Sequence, residues 1–406
     1  MEGWVRVDIR VIRSLRLSNR RGAVWACGRQ ATVARMVDIL VVGARGIPDV
    51  EGGAEKHAEM IFPRFARAGY EVTLLGIDRF IKGKEYRGVR LRGIHTLRVA
   101  QTDKLVYHML CFLYAAWSRP KLVHLQGLNS ALFLFLYKLV GLKVVIRYGS
   151  ADHQHAKWGL IGRTGFRLCE HQIGFSDHVI AVSRNYHATL TARYGLDRVT
   201  VVPNGTDPHH VSDEASTFWS TLGLKDAPYI LAVGRLTVDK DYETLVRAVG
   251  MLAGSRARLV VAGGADESGH AERLFTMQND RIRFLGRLER RLLTALYDRC
   301  AVYVNCSRYE GFSNALLEAV SHDRPIVASD IPSNCEVPLR ANSYFRTGDA
   351  AALAEKLQAA LDDPEAFIAE KDDFLGWDQV FNRTESVYRM VVPALAIGAY
   401  RPTSPI

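Results

Sequence analysis

No two cysteines of this chain form a Cys-x-x-Cys pair; the six (27, 111, 169, 300, 306 and 335) are scattered singly. That spacing excludes both a disulfide framework and a zinc ribbon, and it fits a reducing, cytoplasmic compartment. Uninterrupted apolar runs of about 18 residues are missing as well, so no membrane-spanning helix is expected. The two most apolar windows, 105–117 and 131–146, are interrupted or bounded by Lys, His or Gly and read as buried helix or strand. A continuous apolar stretch is also absent near the N-terminus, which argues against a secretory leader. Metal-ligand spacing is wanting too. Asp152, His153 and His155 crowd one loop with no third cluster to join them, and Asp239 and Asp241 open a helix, where Asp serves as cap and dipole partner. No metal and no cofactor is therefore expected.

What is present is an ordinary α/β composition over 406 residues, enough for two or three domains. The net charge of +10 is unevenly placed. Residues 1–35 carry eight Arg against two acids, so the rest of the chain holds only +4, and nucleic acid is not indicated as a partner. The first 35 residues show no period. An amphipathic basic arm, a targeting segment and an upstream translation start all fit them, and Met36 just before the first strand favours an arm without a fold. A second basic stretch, Arg79 to Lys104, holds eight Lys or Arg against Glu85 and Asp103. It reads as a solvated face with loops, or as a patch that meets anionic lipid or a lipid-linked pyrophosphate.

Strands and helices alternate in both halves. Val37–Gly43 reads as a buried parallel strand, followed by a loop with Gly52 and Gly53 that opens a helix. Strands follow at 71–76, 122–126, 143–147, 177–183 and 199–202. After the polar, irregular stretch 206–227, the alternation resumes with strands at 229–233, 258–262, 282–285, 301–305 and 325–330. This predicts a first domain over 36–205, a linker over 206–227 and a second domain over 228–375. A helix over 376–395 would cross back to the first domain, ahead of a Pro-rich tail over 396–406.

The most informative stretch is Tyr309 to Ser321. A strand ends, Gly311 turns the backbone, and a helix begins near Asn314, gathering unpaired N–H groups that suit an anion. Glu310 and Glu318 flank the turn, where carboxylates accept hydrogen bonds from hydroxyls at the two ends of one extended ligand. The wording Glu310-Gly-Phe-Ser-Asn-Ala-Leu-Leu-Glu318 resembles the Glu-x7-Glu signature of family 4 glycosyltransferases of the GT-B fold, over roughly Val37 to Met390. The Val-Val-Pro-Asn204-Gly205 junction is typical of the same family.

The resemblance implies two doubly wound Rossmann-like domains facing across a cleft, with the donor on the second and the acceptor on the first. It gives Glu310 to the donor sugar, Glu318 to the ribose, and Arg235 and Lys240 to the donor diphosphate. Gly52, Gly53, Gly234, Arg287, Leu288, Gly311, Phe312, Ser313, Asn314 and Leu317 join them as donor-site candidates. Asp152 and His153 become candidates near the reacting hydroxyl. The family has Gly where Asp323 stands, and Asp tolerates the left-handed turn required there.

The implied reaction is retaining transfer of a hexose or deoxyhexose from a nucleoside-diphosphate sugar to a saccharide or lipid-linked acceptor in surface-polysaccharide assembly. The chain would be cytoplasmic, with peripheral contact at an anionic membrane surface. A nucleotide-sugar epimerase and a non-catalytic sugar-binding relic are the competing readings, and intact Arg235, Lys240, Glu310 and Glu318 argue against decay. A phosphorylase would need a pyridoxal-binding Lys, and none is recognisable.

Overall fold

A computed structural model describes residues 37–96, 102–150, 160–206, 224, 228–252, 254, 256–265, 269–370 and 374–395. The basic arm, most of the 206–227 stretch, the Pro-rich tail and the loop with Asp152 and His153 lie outside the described residues.

The first half builds one eight-stranded sheet. Its strands are β1 (Ile39–Val42), β2 (Val72–Ile77), β3 (Glu85–Tyr86), β4 (Val89–Ile94), β5 (Leu122–Gln126), β6 (Val144–Tyr148), β7 (His178–Ala181) and β8 (Val199–Val201). They lie in the order β3-β4-β2-β1-β5-β6-β7-β8. All pairs are parallel except β3 with β4. Strands β1, β2, β5, β6 and β7 are buried along their whole length, as continuous apolar runs covered by helices on both faces should be.

The second half repeats the design with six strands: β9 (Tyr229–Val233), β10 (Arg258–Ala262), β11 (Ile282–Phe284), β12 (Val302–Asn305), β13 (Ile326–Ser329) and β14 (Tyr344–Phe345). Their order is β11-β10-β9-β12-β13-β14, all parallel. In each sheet the first strand has its successor on one side and a later strand on the other. The chain thus reverses direction between β1 and β5, and again between β9 and β12. Such reversals leave a crevice at the carboxyl ends of the strands, where doubly wound sheets take their ligands.

The helix Trp377–Val391 belongs to the first lobe's core. Trp377 lies 5.9 Å from the His57 ring, Tyr388 stacks on Phe65 at 4.9 Å, and the Tyr388 hydroxyl meets His124 Nδ1 at 2.7 Å. The two chain crossings between lobes run side by side, since Thr206 N donates to Leu375 O at 2.8 Å.

Several expectations change. The basic stretch after Arg79 is not only loop. Val89 and Leu91 alternate inward with Arg90 and Arg92 outward, and this period of two makes β4. Arg90 pairs with Glu71 of the neighbouring strand's entry. The window 105–117 is helical but not buried all round; Leu113 and Trp117 are 52% and 75% exposed. Asp241 caps nothing with its side chain. It stands at the cap position of the helix Tyr242–Met251, where the sequence put it, but adopts a left-handed φ of 50° and pairs with Arg308 at 2.8 Å. Asp323 does take the left-handed conformation foreseen for it, with φ 53°.

Candidate active site

The donor-side residues gather at the reversal point of the second sheet. The loop after β9 carries Gly234, Arg235 and Lys240, and the loop after β12 carries Glu310. The Lys240 ammonium pairs with Glu310 Oε1, which also accepts a hydrogen bond from Ser307 Oγ at 2.9 Å. A Cβ at position 234 would lie 3.3 Å from Lys240 Nζ, so the ammonium rests against the Gly234 backbone. Arg308 N donates to Asp239 O at 2.8 Å and the Cys306 thiol to Lys240 O at 3.0 Å. These bonds tie the two loops together. Burial pushes the Cys306 thiol up, so it stays protonated and able to donate. Arg235 is exposed and makes no ion pair among the described residues, which leaves its guanidinium available to an anion.

Close backbone packing underlies this arrangement. A Cβ on Gly263, just past β10, would stand 1.9 Å from Gly234 O, so only glycine lets these two loops touch.

The helix Asn314–Ser321 starts at the same place. Ser313 is its cap: its hydroxyl accepts from Leu316 N at 3.3 Å and from Asn305 Nδ2 at 3.0 Å. That hydroxyl is 4% exposed and committed, so Ser313 shapes the site instead of facing a ligand with its side chain. Leu317 is also buried, and Leu288 and Phe312 pack against the same core. Glu318, one turn further along the helix, pairs with Lys56 of the first lobe at 3.4 Å. A hollow of about 290 Å³ opens beside Glu318, lined also by Lys56, Arg290, Asn314 and Trp377. A broader hollow of about 800 Å³ lies near Pro228, Arg299 and Arg324, at the amino ends of β9, β12 and β13, the wrong end of the sheet for a doubly wound ligand site.

The first lobe presses on this site. A Cβ at Gly311 would stand 1.8 Å from Gly149 O, just before the undescribed loop. A Cβ at Gly53 would meet Asn314 Nδ2 at 3.6 Å, and Gly264 N donates to Glu51 Oε1 at 3.4 Å. Arg287 Nη2 donates to Asp49 O at 2.6 Å, so Arg287 bridges the lobes. The hydroxyls of Tyr186 and Tyr309 meet at 2.9 Å. The Glu336 carboxylate accepts from Arg184 N at 2.5 Å and Asn185 N at 2.7 Å, at the amino end of the helix Arg184–Tyr194. A carboxylate is well placed there. Sequence reasoning missed Lys56, Glu51, Arg308 and Glu336. Glu51 and Lys56 flank the Gly52-Gly53 turn and were within sight; the other two carry no local signal.

Under that turn lies a buried polar chain. Tyr388 donates to His124 Nδ1, His124 Nε2 to Gln126 Oε1 at 2.8 Å, and Gln126 Nε2 to His57 Nδ1 at 3.1 Å. This direction of donation requires both imidazoles neutral. Burial, reinforced by the nearby Arg147 charge, holds His57 well below the usual histidine range and brings His124 down to about 3. Arg147 is itself 2% exposed, with its pKa lowered by burial to about 9, and it is held by Val202 O and Asn204 Oδ1 instead of by a carboxylate.

Two largely parallel sheets bring their reversal points to one cleft, with a cation and two carboxylates on the second, a doubly wound two-lobe design. The family description "Glycosyltransferase Family 4" matches residues 51–210, and "Glycosyl transferases group 1" matches residues 227–363. The chain belongs to the family 4, group 1 glycosyltransferases. An uncharacterized glycosyltransferase of Methanocaldococcus jannaschii is 29% identical over 384 residues, covering 85% of this chain and 96% of the relative. The amylovoran biosynthesis glycosyltransferase AmsD of Erwinia amylovora is 24% identical, covering 69% of this chain and 77% of the relative. Among solved structures, sucrose-phosphate synthase of Thermosynechococcus elongatus superposes with a TM-score of 0.77 at 20% identity, over 88% of this chain and all of that one. Anabaena HepE, solved with UDP and glucose, gives 0.72 at 15% identity, over 87% of this chain and all of that one.

Proposed function

We propose that the chain moves a hexose or deoxyhexose from a nucleoside-diphosphate sugar to a saccharide or lipid-linked acceptor with retention at the anomeric carbon. The observation that carries this reading is the Lys240–Glu310 pair at the β9/β12 reversal, set against the amino end of the helix Asn314–Ser321. That helix end and the Lys240 and Arg235 cations suit a diphosphate. Glu318 accepts from ribose hydroxyls, and Glu310, released from Lys240 as the phosphates take over the cation, accepts from the sugar.

Chemically, the bond from the anomeric carbon to the diphosphate oxygen breaks and the bond to the acceptor oxygen forms on the same face. The acceptor's proton passes to the departing phosphate oxygen. Lys240 and Arg235 offset the charge that develops on the leaving group, which spares the need for a metal or other cofactor. Asp152 and His153 stand near the reacting hydroxyl in this reading. The work site is the inner face of a membrane, in surface-polysaccharide assembly. The relative named for amylovoran biosynthesis supports that setting, as does a Campylobacter jejuni relative named for an undecaprenol-diphosphate-linked acceptor, 29% identical over 40% of its own length.

A panel of nucleoside-diphosphate sugars, screened by thermal shift and then by nucleoside-diphosphate release, tests the reading. One donor should raise the melting temperature and turn over with an acceptor added. Turnover that only interconverts sugar epimers, or no stabilisation by any donor, would overturn it.

A further inference from the structure

The helix Thr102–Ser118 carries no residue charged at neutral pH between Lys104 and Arg119. Its one histidine, His108, is buried, which lowers its pKa to about 4 and keeps it neutral. The inner stripe, with Tyr107, Cys111 and Ala115, packs on the first sheet. The outer stripe is apolar as well and remains open. Val106, Leu110, Leu113 and Trp117 recur at the spacing of one helix face and are 44%, 37%, 52% and 75% exposed. The neighbouring helix Leu134–Leu139 extends the patch with Phe135 and Leu139, 45% and 79% exposed. The two helices are joined by the Phe112–Tyr137 ring contact at 5.4 Å and by Arg119 Nη1 donating to Val140 O at 2.7 Å. Open apolar side chains gathered on two neighbouring helices are the kind of surface that marks an interaction site.

Charge around the face selects its occupant. Lys104 stands exposed at one end and Arg119 at the other, and the Arg92 guanidinium lies 5.7 Å over the Tyr114 ring at the side. An isologous contact with a second copy would set these cations against one another. An anionic bilayer instead takes the apolar side chains below its headgroups and meets the cations with phosphate, while Trp117 suits the boundary between the two.

We propose that this face seats the chain on an anionic lipid bilayer, with the Thr102–Ser118 helix lying in the plane of the headgroups. The same helix is anchored at the cleft end of the first sheet: the Tyr107 hydroxyl donates to Leu75 O at 2.6 Å and accepts from Gly43 N at 3.2 Å, at the carboxyl ends of β2 and β1. A sugar acceptor anchored by a lipid therefore reaches the cleft from beside the helix. That last consequence rests on the acceptor reading given above; the membrane seat does not.

The test is co-sedimentation of the full chain with phosphatidylcholine vesicles, with and without phosphatidylglycerol. Wild type should pellet with the anionic vesicles and be released by salt. The variant Leu110→Glu/Leu113→Glu/Trp117→Glu should partition at least about tenfold more weakly, with unchanged melting temperature and unchanged sugar transfer to a water-soluble acceptor, read as nucleoside diphosphate released. Wild type that stays in the supernatant with both vesicles, or a variant that pellets equally well, overturns the proposal. So does a wild-type dimer in gel filtration that the variant dissolves. Vesicle binding without sugar transfer would sink the transfer reading alone, and transfer without vesicle binding would sink the membrane seat alone.

Discussion

Replacing Gly311 with Ala drives a methyl group into the contact that closes the cleft. The added carbon would sit 1.8 Å from Gly149 O, 2.9 Å from Gly149 C and 3.4 Å from Ser150 Cα. Non-bonded heavy atoms settle at roughly 3.5 Å, so the two strand-end loops must part by on the order of 1.5 Å. Both partners are backbone, and no side-chain rotation relieves the clash. A misplacement of about 1 Å between reacting groups costs on the order of 10²-fold in rate. The kcat of Gly311→Ala should therefore fall about a hundredfold. Affinity for the nucleoside diphosphate, whose partners lie almost wholly on the second lobe, should weaken less than about tenfold. Overpacking of this kind costs about 1–3 kcal/mol of stability, visible as a modest drop in melting temperature. Steady-state release of nucleoside diphosphate and calorimetric titration separate the two effects. Wild-type kcat in Gly311→Ala would refute the steric reasoning.

Three further outcomes follow from the same coordinates. Lys240→Ala removes the cation beside Glu310; at about 4 kcal/mol for two charges some 4 Å apart near a protein surface, kcat should drop by about 10²–10³-fold while the fold persists by circular dichroism. The buried, neutral His108 and His124 make stability fall in acid. Unfolded histidines take up a proton below about pH 6.5 while the folded ones, at about 4 and about 3, do not, so each costs about 2 kcal/mol at pH 5. Urea denaturation at pH 7 and pH 5 measures this, and equal midpoints would contradict it. Glu336→Ala strips the acceptor from two helix-end N–H groups, at a cost of about 1 kcal/mol. Its melting temperature should drop by a few degrees, and an unchanged value would show that the inter-lobe clasp contributes nothing.

Much of the fold was legible because its strands are continuous apolar runs. Ile39–Val42, Val302–Asn305 and Ile326–Ser329 are buried end to end and were read as strands. Strand β4 was not, because four consecutive residues alternating Val-Arg-Leu-Arg inside a basic stretch resemble a solvated loop until a partner strand covers one face. The helix over 105–117 was legible, but periodicity cannot say whether a second apolar stripe will be covered. Within the site, likeness to the family gave Lys240 to the donor diphosphate and Glu310 to the donor sugar; that the two side chains meet, 70 residues apart, was not foreseen. The Lys56–Glu318 and Glu336–Arg184 contacts were out of reach. Each depends on how one lobe sits on the other, which no local spacing encodes. Asp241 does open a helix as read, but its side chain was misassigned for a related reason: its partner Arg308 arrives from the loop after β12, which no local spacing shows.

Calorimetric titration of a nucleoside diphosphate in the presence of EDTA examines the donor grip most directly, using wild type, Arg235→Ala/Lys240→Ala and Glu318→Ala. Wild type should bind without metal, and the double variant should bind at least about a hundredfold more weakly. Glu318→Ala should lose affinity for the nucleoside diphosphate while keeping it for inorganic pyrophosphate. Equal affinity in wild type and the double variant, with both folded, would show that these cations do not hold the diphosphate.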